Sequence, residues 1–207
     1  MPEITAELVR TLRERTGAGM MDCKRALEAT GGDLDRAQEV LRERGLAAAQ
    51  KKAGRQTAEG VVEAYVHHGG RVGVLIEVNC ETDFVARTED FRAFAHDMAM
   101  QVAATSPQYV RRDEVPGELV ERERQIYRQQ ALAEGKPERV VDRIVEGRLD
   151  KFFQQICLEE QPFIKDGDRT VRELTQALIA RLGENIRIRR FVRFELGAAE
   201  AGDDGAA

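Results

Sequence analysis

Two β-branched runs, Val61 to His67 and Val72 to Val78, are separated only by His68-Gly69-Gly70-Arg71. No other feature constrains the fold as much. Glycine supplies the positive φ that a tight connection needs, so the two runs are predicted to pair as an antiparallel hairpin. Val72, Val74, Ile76 and Val78 alternate, which turns one face of the second strand inward. The first strand is less defined, because Glu63 and Tyr65 share a face. A third alternating run, Ile186 to Leu196, swaps phase at Arg190-Phe191. Most of the remaining apolar residues recur at helical spacing. The expected class is α+β, with a three-stranded antiparallel sheet packed with helices.

Glycines divide the first 46 residues into three short amphipathic segments. Ile4, Leu8 and Leu12 mark the first, which stops at Thr16-Gly17-Ala18-Gly19; Met20, Cys23 and Leu27 mark the second, which stops at Gly31-Gly32. Asp33 offers an N-cap for a third carrying Leu34, Ala37, Val40 and Leu41, and Gly45 reads as its C-terminal stop. A helix trio of this size is marginal alone but can serve as a docking module. The expected organisation is a helical module over 1–46, a linker over 47–59, an α+β core over 60–197 and a disordered acidic tail over 198–207.

Within the core, Thr88 is a candidate N-cap for a helix bearing Phe91, Phe94, Ala95, Met98, Ala99 and Val102. A mixed-charge helix is predicted from Glu118 to Leu132, stopping at Gly135. Pro137 suits the first turn of the next helix, whose face runs from Val140 to Ile156. Gly147 inside that helix should cost about 1 kcal/mol relative to Ala, which predicts close packing there. Thr170-Val171-Arg172-Glu173 reads as a capping box opening a helix through Leu182, closed by Gly183.

Composition narrows the chemistry. The chain is 33% charged and 42% hydrophobic with a formal net charge of -5, as a soluble folded protein would be. No apolar run approaches the roughly 20 residues of a membrane helix. Cys23, Cys80 and Cys157 are too scattered for a disulfide framework or a zinc knuckle, so a reducing cytoplasm is expected. His67 and His68 would point to opposite faces of a strand and could not share a metal ion. Neither Gly17-Ala18-Gly19 nor Gly69-Gly70-Arg71-Val72-Gly73 completes a phosphate loop. No catalytic residue, cofactor or metal site is expected, and the chain does not read as an enzyme.

Three surface features remain. Arg187, Arg189, Arg190 and Arg193 form a basic stripe, read as a solvated face or one pairing with helix carboxylates, with RNA binding as the alternative. Met20 is in phase with Cys23 and Leu27 and fits a core, whereas Met21 should be exposed, where a flexible thioether suits a protein groove. Thr82-Asp83-Phe84-Val85 joins a buried strand to a helix; spacing favours a core lid over a contact surface.

Two long stretches carry a resemblance: Thr16-Gly17-Ala18-Gly19-Met20-Met21-Asp22-Cys23-Lys24-Arg25-Ala26-Leu27 and Glu77-Val78-Asn79-Cys80-Glu81-Thr82-Asp83-Phe84-Val85-Ala86. With Glu160-Gln161-Pro162-Phe163 and Arg193-Phe194-Glu195, they resemble the bacterial translation elongation factor Ts family, guanine-nucleotide exchange factors for elongation factor Tu. The resemblance implies that the N-terminal module is ubiquitin-associated-like and docks on the partner's G domain through Arg13, Met20, Met21 and Lys24. It implies that Thr82, Asp83, Phe84 and Val85 enter a G-domain cleft and dislodge Mg²⁺ and GDP, making Phe84 a wedge rather than a lid. The length matches the short, single-core branch, which implies a homodimer binding two copies of elongation factor Tu. Some short relatives link that dimer through a Cys in the terminal strand; Val192 stands there, so the dimer would be noncovalent. No membrane and no direct nucleic-acid partner are implied.

Overall fold

The computed structural model describes residues 4–198. The expected acidic tail, but for Ala198, lies outside the described residues. The described residues form eight α-helices and five β-strands. In order they are α1 (Ala6–Thr16), α2 (Met20–Ala29), α3 (Leu34–Lys52), β1 (Glu59–Val66), β2 (Val72–Cys80), α4 (Asp83–Ala86) and α5 (Glu89–Thr105). Then come α6 (Gly117–Ala133), α7 (Glu138–Ile156), β3 (Pro162–Phe163), β4 (Asp166–Thr170), α8 (Val171–Leu182) and β5 (Arg187–Glu195). The class is α+β: β1, β2 and β5 form a three-stranded antiparallel sheet, in the order β1-β2-β5, packed with helices.

The chain divides into two compact units. One comprises the N-terminal stretch through Val61, Val78–Arg92 and Glu173–Arg187; the other comprises Val62–Glu77, Ala93–Arg172 and the chain from Ile188.

In the first unit, α1 to α3 enclose Val9, Leu12, Cys23, Ala26, Leu27 and Ala37, with Ile4, Leu8, Leu34, Val40 and Leu41 packed against them. Their ends are set locally. Thr5 caps α1 by accepting the Leu8 N–H at 3.3 Å, and Gly17 ends it at φ +67°. Asp33 caps α3, as expected, accepting the N–H groups of Asp35 and Arg36 at 3.0 Å each. Gly45, however, is not a stop: α3 continues to Lys52. A Cβ on Gly45 would lie 3.3 Å from the Ala180 Cβ of α8, so the glycine permits close helix approach within an unbroken helix. Arg42 of α3 pairs with Glu173 of α8. Gly60 in β1 has φ +149°, and a Cβ there would sit 2.1 Å from the Val78 carbonyl oxygen.

In the second unit, the connection between β1 and β2 is closed by the His67 N–H donating to the Val72 carbonyl at 2.9 Å, with Gly69 and Gly70 both at positive φ. Val74 and Ile76 of β2, like Val78 in the first unit, are buried as the alternation predicts. Glu63 and Tyr65 do share a face: the Glu63 carboxylate lies 2.8 Å from His96 Nδ1 on α5, and the Tyr65 ring meets the His96 ring edge-on. Helices α6 and α7 bury Ala131, Val141, Val145 and Leu149 between them. Arg128–Asp142 at 2.5 Å, Arg148–Glu134 at 2.7 Å and Arg124–Glu146 cross-brace the pair.

Gly147 departs from expectation, since nothing lies within 4 Å of where its Cβ would be. Its cost to α7 is not offset by packing among the described residues. The short hairpin β3–β4 was not foreseen, because a two-residue strand beside Asp166-Gly167-Asp168 leaves no apolar alternation. In β5 the inward phase shifts by one residue between buried Ile188 and half-buried Phe191, leaving Arg189 and Arg190 consecutively exposed. This is the swap seen in the sequence.

Candidate functional site

Strand β2 ends at buried Cys80, and the chain turns through Glu81 and Thr82 into the single helical turn α4. Thr82 is extended (φ −129°, ψ 155°) and its hydroxyl accepts the Val85 N–H at 3.4 Å, an N-cap. Val85 and Ala86 face inward and are buried. Asp83 pairs with Arg87 at 2.7 Å. Phe84 is 79% exposed, the most exposed large apolar side chain among the described residues. Thr88 begins the next helix, accepting the Phe91 N–H at 3.3 Å as its expected N-cap.

The spacing-based preference for a core lid is therefore correct for Val85 and incorrect for Phe84. A one-turn helix has room to bury only one side of itself, and Val85 with Ala86 occupies that side.

Two residues that the sequence reading overlooked hold this turn. The Glu184 carboxylate accepts the N–H groups of Glu81 and Thr82 at 3.1 and 3.0 Å and the Thr82 hydroxyl at 2.6 Å. The Asn185 backbone N–H donates to Glu81 at 2.6 Å, and its side-chain amide donates to the carbonyls of Arg55 at 2.9 Å and Ala53 at 3.4 Å. The Cys80 thiol donates to the Thr82 carbonyl at 3.1 Å. Burial, with the nearby Glu184 charge, pushes that thiol up to about 11, so it remains a donor at neutral pH. No periodicity marks Glu184 or Asn185; the signal in the sequence is only a polar pair directly after a helix-ending glycine, and the structure buries Asn185.

The other candidate residues lie on α1 and α2. Met20 and Met21 are 53% and 61% exposed at the start of α2, so Met20 does not join the core despite its phase. It is the first residue of the helix and stands one turn ahead of Cys23, where the core of the trio begins. Lys24 follows on the same side, pairing with Glu28 at 3.8 Å. Arg13 is exposed on the last turn of α1. These four and the Thr82–Val85 turn belong to the same compact unit but to different elements.

Two of the four arginines in the basic stripe on β5 are engaged within the protein, and Arg187 and Arg189 are exposed. Arg190 pairs with Glu77 at 2.7 Å; Arg193 pairs with Glu195 at 2.6 Å and donates to the Ala103 carbonyl. Their carboxylate partners are on strands, not on helices. Among the described residues, no group of three or more His, Cys, Asp or Glu could hold a metal ion, and no helix is long and apolar enough to cross a membrane.

Phe84 is thus an exposed aromatic on a hydrogen-bonded turn, and Met20 and Met21 are an exposed apolar pair opening α2. The family model described as Elongation factor TS matches residues 44–198. The chain is 66% identical over 194 residues to the Elongation factor Ts of Carboxydothermus hydrogenoformans, covering 94% of this chain and 89% of that one. It is 61% identical to that of Desulforamulus reducens, covering 95% and 91%, and 54% identical to that of Solibacter usitatus, covering 100% and 97%. The chain belongs to the elongation factor Ts family, and so to the translation elongation factors.

Proposed function

We propose that this protein is a cytoplasmic guanine-nucleotide exchange factor for elongation factor Tu. The α1–α3 module docks on the partner's G domain through Arg13, Met20, Met21 and Lys24. The Thr82–Val85 turn then enters the G domain and dislodges Mg²⁺ and GDP, and the factor holds the nucleotide-free state until GTP binds. No bond is made or broken by this chain, so it acts by binding and not as an enzyme. The observation that carries the proposal is Phe84: a large apolar side chain left 79% exposed while its neighbours Val85 and Ala86 are buried.

The energetics are those of reciprocal coupling. If the factor weakens GDP binding by some ratio, GDP weakens factor binding by the same ratio. Each tenfold in that ratio is about 1.4 kcal/mol. Full burial of a Phe side chain in the partner contributes roughly 1.5–3 kcal/mol, which makes Phe84 a major contributor but not the sole one. The test is release of a fluorescent GDP analogue from elongation factor Tu. Micromolar factor should accelerate release many-fold; an unchanged rate contradicts the proposal.

We propose the same division of labour along the chain as the sequence suggested: a docking module over 1–46, a linker over 47–59 whose first residues continue α3, and a core over 60–197. The core is proposed to form a homodimer, giving a two-plus-two complex. Val62 and Val66 of β1, Leu75 of β2, and Val192, Phe194 and Leu196 at the end of β5 are all exposed, a concentration of apolar strand residues that supports an interface. RNA binding through the terminal arginines is the alternative; Arg190 and Arg193 are engaged within the protein, whereas Arg187 and Arg189 are exposed.

A further inference from the structure

Helix α8 ends at Gly183, whose φ of +79° and N–H bond to the Ile179 carbonyl turn the chain out of the helix. The next residue, Glu184, is half-buried and directed at the turn that carries Phe84. One carboxylate oxygen accepts two successive backbone N–H groups, those of Glu81 and Thr82. The other accepts the Thr82 hydroxyl, which orients that hydroxyl's lone pair toward the Val85 N–H it caps. Charge-assisted bonds of this kind are the strong ones, and they act on the two residues immediately before Asp83 and Phe84. Asn185 extends the arrangement by tying Glu81 and the carbonyls that follow α3 to the same point.

We infer that Glu184 is a positioning residue for nucleotide exchange: it fixes the strand-to-helix turn so that Phe84 is presented already ordered, an inference that rests on the exchange reading above. A loop that must order itself on binding loses part of its contact energy to that ordering; a turn held by three hydrogen bonds does not. Glu184 itself need not touch the partner.

Two variants separate geometry from charge. Glu184→Ala removes every acceptor. Glu184→Gln keeps an amide oxygen for the two N–H groups and places an amide donor against the Thr82 hydroxyl, which can then accept. The first measurement is hydrogen exchange at the Glu81 and Thr82 amides of the full chain. Protection should fall in Glu184→Ala and persist in Glu184→Gln. The second is release of a fluorescent GDP analogue from elongation factor Tu as a function of factor concentration. The maximal rate with Glu184→Ala should fall about tenfold, with the half-saturating concentration within about twofold of wild type, because docking through α1 and α2 is intact. Glu184→Gln should restore the maximal rate to within about twofold.

A merely structural role predicts the opposite split: fewer folded molecules raise the half-saturating concentration and leave the maximal rate alone. That pattern would overturn the inference. So would wild-type amide protection in Glu184→Ala, or a Glu184→Gln variant as impaired as Glu184→Ala. If the unaltered chain fails to accelerate release, the exchange reading itself fails; if Phe84→Ala is as fast as wild type, the role of Phe84 fails, and either result removes this role for Glu184. The amide measurement would still report whether Glu184 holds the turn.

Discussion

Phe84, Gly60 and Gly147 illustrate how one side chain, or its absence, is decided by what surrounds it. Phe84 contributes little to the fold, since most of its surface is already in water. Phe84→Ala should change unfolding free energy by less than about 0.5 kcal/mol, as surface substitutions do. A thermal melt checks this; a large loss of stability would restore the lid reading. Gly60 is the reverse case. Its Cβ would overlap the Val78 carbonyl oxygen at 2.1 Å and the Asn79 Cα at 2.7 Å, both backbone atoms with no rotamer to move aside. Gly60→Ala should destabilise by about 3 kcal/mol or more, measured by denaturant unfolding. Gly147 has no such neighbour, so Gly147→Ala should stabilise α7 by about 1 kcal/mol in the same measurement.

At the scale of elements, periodicity located the helices and strands well wherever a long apolar face existed. The three sheet strands, α5, α6, α7 and α8 all lie close to where the spacing places them. The misreadings share one cause: a residue's type was legible but its three-dimensional neighbour was not. Gly45 reads in the sequence as a stop and is a close-approach point against Ala180, whereas Gly147 reads as a close-approach point and is open. Nothing in the chain near either glycine distinguishes them, because the deciding atom in the first case is 135 positions away. The same holds at the candidate site. The motif around Phe84 was visible as a resemblance, but Glu184, about a hundred positions on, was not. Phe84 and Val85 were a single apolar pair in the sequence, and only the one-turn length of α4 separates their fates.

Across the whole molecule, the three cysteines and the exposed strand residues bear on assembly. All three thiols are free and buried, and burial raises those of Cys80 and Cys157 to about 11. A raised thiol value favours the neutral form in the folded state, so reactive thiolate is scarce below pH 9 and grows only as pH rises toward 11. A thiol reagent at pH 8 should label the native protein slowly and all three cysteines promptly once it is denatured. Rapid labelling of native protein would contradict the burial, and any dimer should persist in reducing agent. Sedimentation at micromolar concentration should give a dimer, and Phe194→Glu should give a folded monomer; a Phe194→Glu variant that remains dimeric would move the interface elsewhere.

We propose that the outward-held Phe84 is a major contributor to nucleotide exchange by this chain. The most direct test is the release of a fluorescent GDP analogue from elongation factor Tu, comparing wild type with Phe84→Ala at saturating factor. Wild type should accelerate release many-fold, and Phe84→Ala should lose about tenfold to a hundredfold of that rate with the fold intact. Equal rates for the two proteins would contradict it.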